Sequence, residues 1–203
     1  NLSGTPPDIQ GRLIAERNIQ VTGSLSADTT IGTSGTTFWA GGDITINNAS
    51  DAYIITINGD IYAKGDIDFS TAQVKGIKIA GNVYAEGNIN FFSPNITDGI
   101  EVTGNVFAKG NINLSNAKIT INGNLTGLGE ITFDDSSNCT INGALLTTSN
   151  LTLMGTITVD ASGSSNKAAI LLKGTADTTV TLKIDTSVEI TTGDEQVAGI
   201  MVY

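Results

Sequence analysis

Trp39, Tyr62, Tyr84 and Phe107 recur at intervals of 23, 22 and 23 residues. They include the only Trp of a chain with just four Tyr and six Phe, so the alignment uses much of its aromatic content. Regularly spaced flat rings carry a definite chemistry if they face outward. Sugar rings present apolar C–H faces that stack on aromatic rings, and polar neighbours then bond the sugar hydroxyls. An exposed apolar row also marks an interaction surface more generally. Two other uses compete: another segment of the parent protein covers the row, or ring–ring contact serves only to stabilise the stack. Lys64, Glu86 and Lys109 each follow a ring by two residues, which makes an alternating charge row beside it.

Other residue types point away from catalysis. The chain has no His, which excludes His-based acid–base and nucleophilic chemistry. A glycoside hydrolase needs two carboxyl groups across a cleft. Asp134 and Asp135 are adjacent, so strand geometry makes them diverge, and Asp66 and Asp68 share a flat outward face. A lyase base would be Arg or Lys beside a cation, but the only Arg residues, Arg12 and Arg17, lie near the N-terminus. No catalytic residue is assigned. Asp and Asn oxygens suit calcium, with Asp134 and Asp135 the best pair, but no calcium-loop spacing occurs. No metal site or cofactor is assigned.

Composition narrows the partners. Ten Lys and Arg against 20 Asp and Glu give a net charge of −10 with no basic run, which argues against nucleic acid. No apolar stretch approaches the roughly 20 residues of a membrane-spanning helix. Cys139 is the only Cys, so no intrachain disulfide forms. The chain opens on Asn1 rather than Met and reads as a fragment or processed product, without any signal or anchor.

The element that must position the rings is a repeat. GDIYAKGDIDF from Gly59, GNVYAEGNINF from Gly81 and GNVFAKGNINL from Gly104 align without gaps. Weaker copies start at Gly11, Thr36, Gly123 and Gly143, so consecutive starts differ by 25, 23, 22, 23, 19 and 20 residues. That period fits one coil of a β-solenoid and is too short for a propeller blade. Counting from each start, offsets two, eight and ten are apolar in every copy, as in Ile61, Ile67 and Phe69, and offset four is small. Apolar pairs such as Ile55 and Ile57, or Ile77 and Ile79, precede the starts. Even offsets therefore point inward and odd ones outward. Gly at offsets zero and six marks corners.

The expected fold is all-β, a right-handed parallel β-helix with about three faces per coil and coils of about 19–25 residues. Residues 1–10 read as a linker or N-terminal cap and 11–155 as regular coils. Residues 156–203, where the register is lost, read as irregular coils or a truncated capping region. Cys139 falls in an inward Ile column and reads as a small buried hydrophobe. Outward Asn and Asp at offset seven, from Asn18 to Asn150, read as corner residues that bond backbone and one another. Thr residues look too scattered for the regular ladder that ice binding needs.

The G-N/D-V-Y-A-x-G-N/D-I-x-F repeat resembles several bacterial solenoids. It is similar to bactofilins, to β-solenoid domains of type IV pilus-associated proteins, and to the tāpirins, cellulose-binding adhesins whose binding domain is a β-helix. The resemblance spans about residues 11–153. Likeness to the tāpirins implies a secreted or cell-surface, non-catalytic adhesin for cellulose or another plant cell-wall glycan, with Trp39, Tyr62, Tyr84 and Phe107 as contacts. Likeness to the other two implies a structural module that self-associates through its ends or belongs to a pilus.

Overall fold

A computed structural model describes residues 2–3, 11–162, 168–174, 180–184, 188–192 and 198–202. Within them the chain is a parallel β-solenoid without helix. A central coil contributes three short strands, Gln73–Ile79, Val83–Ala85 and Ile89–Asn90. The next contributes Gly99–Val102, Val106–Ala108 and Ile112–Asn113. Each strand pairs in parallel with its counterpart, so Ile77 meets Ile100, Val83 meets Val106 and Ile89 meets Ile112. These are the three faces implied by the spacing of the Gly corners.

Parity accounts for the core. Ile77, Ile79, Ile89, Val102, Ala108 and Ile112 are fully buried, while Tyr84, Asn90, Glu101 and Asn113 between them retain solvent contact. Full burial of one Ile contributes about 1.5–3 kcal/mol, and every coil supplies several such residues. The columns place like on like. Phe69 and Phe91 stack inside with centroids 5.2 Å apart and planes 4° from parallel. Cys139 lies between Ile119 and Ile157 and is buried as expected.

The corners explain the Gly-Asn and Gly-Asp pairs. A Cβ on Gly104 would stand 2.7 Å from the carbonyl oxygen of Gly81, and one on Gly81 would stand 2.5 Å from that of Gly59. Glycine thus stacks on glycine because the turning backbones leave no room for a side chain. The following residue supplies the hydrogen bond that the turn displaces. Asp60 Oδ1 accepts from the Asn82 N–H at 2.7 Å, Asn82 Oδ1 from Asn105 at 2.8 Å, and Asn105 Oδ1 from Asn124 at 2.9 Å. A second ladder runs from Asp43 to Asp66, Asn88, Asn111 and Glu130, with N···O distances of 2.6–2.9 Å. Asn and Asp have the shortest side chains with a carbonyl able to reach the next coil.

Beyond Gly155 the same columns continue. Thr156–Asp160 lies on Asn138–Ile141, Ala168–Leu172 on Leu145–Thr147, and Ala198–Val202 on Ala168–Leu172. The register is lost to inspection there because the connections are long, as between Asp160 and Ala168. In the 1–10 segment, Leu2–Ser3 pairs in parallel with Val21–Thr22, and the other positions lie outside the described residues. Two register shifts occur where Ile44–Ala63 runs unbroken past a corner, between Ile31 and Thr36 and between Ser50 and Ile54.

Gly104→Ala is expected to destabilise the fold by about 1–3 kcal/mol through backbone collision. Asn82→Ala, which removes one ladder acceptor, is expected to cost about 1 kcal/mol. Urea unfolding followed by circular dichroism measures both, and an unchanged stability in either variant would refute this account of the corners.

Candidate functional site: an aromatic ridge

One outward column runs the length of the described solenoid: Ile14, Trp39, Tyr62, Tyr84, Phe107, Thr126, Leu146, Leu171 and Met201, each in register with the next. Eight steps of about 4.8 Å make it roughly 40 Å long. All four candidate residues fall in it, side by side. Each of the four rings is half-buried, and Ile14 at one end is 60% exposed. Only Thr126 interrupts its apolar character.

The orientation of the rings was not legible in the repeat. Tyr62 and Tyr84 stack with centroids 4.7 Å apart and planes 5° from parallel, Tyr84 and Phe107 at 4.9 Å and 10°, Trp39 and Tyr62 at 6.1 Å and 5°. The cause is the coil spacing. Side chains repeated every 4.8 Å or so in one column have room only for parallel rings. The rings therefore turn their faces to one another along the axis and their edges to solvent. Each such pair contributes about 0.5–1.5 kcal/mol beyond its burial.

The charge row beside the rings is divided differently from simple alternation. Lys109 Nζ donates to Glu86 Oε2 at 2.8 Å, and the Tyr62 hydroxyl donates to Glu86 Oε1 at 2.5 Å. Lys64, the other expected partner of Glu86, sits 5.6 Å from the Trp39 ring centroid in a cation–π contact. The hydrogen bond to Glu86, reinforced by partial desolvation, pushes the Tyr62 hydroxyl up to about 12 from 10.0. The bonds from Lys109 and then Tyr62 hold the Glu86 carboxyl below its usual range, and Glu86 in turn raises Lys109. The Lys109–Glu86 pair is exposed, so solvent screening leaves it little net effect on stability.

Elsewhere several carboxylates bond to backbone at the corners. Asp134 Oδ1 accepts from the Asn116 and Ser136 N–H groups at 2.7 and 3.0 Å and from the Ser137 hydroxyl at 3.0 Å, which makes it a corner residue. Asp66 and Asp68 border an open trough of about 420 Å³ along the second corner ladder, with Asp43, Asn88 and Asn90. Their Oδ1 atoms accept backbone N–H groups of Asn88 and Ser70. Among the described residues no three His, Cys, Asp or Glu lie together as a metal set. Cys139 is pushed up to about 12 by burial.

Two arrangements escaped the sequence reading. The Tyr62–Glu86 bond joins residues 24 apart in different outward columns. Thr120, Thr140 and Thr158 form a three-rung column on another face, next to an Asn142–Asn122 amide bond of 2.8 Å. The K-I-T-I, N-C-T-I and T-I-T-V strings carry that signal once their register is known.

Ultraviolet titration is expected to show one phenol ionising near pH 12 and absent from Tyr62→Phe. Because this pKa is raised on folding, its stabilising contribution is complete below about pH 10 and fades as pH rises towards about 12. A thiol reagent is expected to leave Cys139 unlabelled in the native chain and to label it in denaturant; native labelling at the denatured rate would contradict the buried assignment. No protein-family model matches this chain, and searches of curated proteins and of solved structures find no match either.

Proposed function

We propose that this chain is a non-catalytic carbohydrate-binding module of a secreted or cell-surface adhesin, which holds an insoluble polysaccharide such as cellulose along the aromatic ridge. The observation that carries the reading is the unbroken alignment of Trp39, Tyr62, Tyr84 and Phe107 on one face of a stiff rod. A preformed row of rings loses little conformational entropy when a polymer settles on it. Since the ring faces meet one another, an approaching glycan meets ring edges. These carry the positive part of the aromatic quadrupole and suit sugar oxygens. The apolar extension through Leu146, Leu171 and Met201 lengthens the contact line. The resemblance to tāpirin-type adhesins points the same way.

A structural module that self-associates or sits in a pilus-associated protein is the second reading. The rings' engagement with one another favours it, since such a ladder strengthens the rod whether or not anything binds.

The test is a pull-down on microcrystalline cellulose, xylan and chitin with the wild type and a variant carrying Ala at positions 39, 62, 84 and 107. Retention of the wild type and at least tenfold weaker retention of a variant with unchanged far-ultraviolet circular dichroism is the expected outcome. Equal retention of both, or none of either, removes the ridge as the adhesive face, and filaments seen by electron microscopy would then favour the second reading.

A further inference from the structure

The polar groups along the ridge are not equivalent. Glu86 occupies two of them, accepting from Tyr62 and from Lys109. The Tyr84 hydroxyl, between the same neighbours, has no hydrogen-bond partner among the described residues, although its ring is stacked on both sides. The Trp39 indole N–H is likewise without an acceptor there. Lys64 has no ion pair among the described residues and rests against the Trp39 ring. The ridge thus keeps three uncommitted donors on three successive coils, at Trp39, Lys64 and Tyr84. Indole N–H and ammonium groups can only donate.

We infer that Tyr84 is the specificity-determining residue of the ridge and that Tyr62, with its hydroxyl committed to Glu86, is a positioning residue. The inference rests on the polysaccharide reading given above. The ligand recognised is a neutral glycan that offers hydroxyl and ring oxygens as acceptors. An anionic polymer fits poorly, because Asp60 flanks the rings on one side, Asp43 and Asp66 border the nearby corner, and the chain carries a net charge of −10. The indole, ammonium and phenol donors fall along the axis at the coil spacing, so they follow an extended chain rather than enclose a single sugar.

Binding isotherms of the whole chain on microcrystalline cellulose, chitin and polygalacturonate, for the wild type, Tyr84→Phe and Tyr62→Phe, test this. Loss of one neutral hydrogen bond corresponds to about a five- to tenfold change in affinity. Tyr84→Phe is expected to weaken binding to a neutral glycan by that factor with an unchanged melting temperature. Tyr62→Phe is expected to lower the melting temperature through loss of its bond to Glu86, and to weaken binding less than Tyr84→Phe does. If the wild type binds but Tyr84→Phe binds equally well, or if polygalacturonate is preferred, the inference falls while the polysaccharide reading stands. If the wild type binds none of the three, that reading falls and takes the inference with it.

Discussion

Every part of this molecule answers to one constraint: each coil must lie in register on the coil beneath it, at the distance set by parallel strand hydrogen bonds. At that distance a residue's nearest neighbours are its own equivalents, so the sequence is selected column by column. Inside, this favours shapes that stack on copies of themselves, such as Ile on Ile and Phe69 on Phe91. At the corners it leaves no space for a Cβ and displaces a backbone hydrogen bond. The Gly81–Asn82 and Gly104–Asn105 pairs solve both difficulties with two adjacent residues. The chain has no disulfide, and its stability comes from repetition of this unit.

The surface obeys the same spacing. The four rings of the ridge lie parallel because the coils dictate it, and a surface ligand would not alter that. The order that makes the ridge continuous also hides the ring faces. What a partner meets is a line of edges, with polar groups at the side. Glu86 organises that line, since one carboxylate holds a phenol from the coil below and an ammonium from the coil above.

Much of this was readable from the chain because periodicity is a one-dimensional signal. The inward columns through Ile61, Ile67 and Ala85 followed from parity, and the ring column from spacings of 22 and 23. Three things were not readable, each for a physical reason. The stacking of Tyr62 on Tyr84 depends on side-chain torsions, which spacing does not encode. The Tyr62–Glu86 bond runs diagonally between columns, and counting within one column misses it. The strands after Gly155 kept the register but not the period, because connection length is unconstrained so long as both ends reach their rungs.

The place of Trp39 at one end of the ring stack has an optical consequence. It is the sole Trp, and Tyr62 and Tyr84 lie beyond it in a single parallel file. Light absorbed by those phenols can pass by resonance transfer to the indole, which becomes the emitter for the whole file. Its yield reports how well the rings are aligned, and Lys64 beside it makes that emission responsive to local charge. The molecule carries an intrinsic gauge of the order of its own outer face.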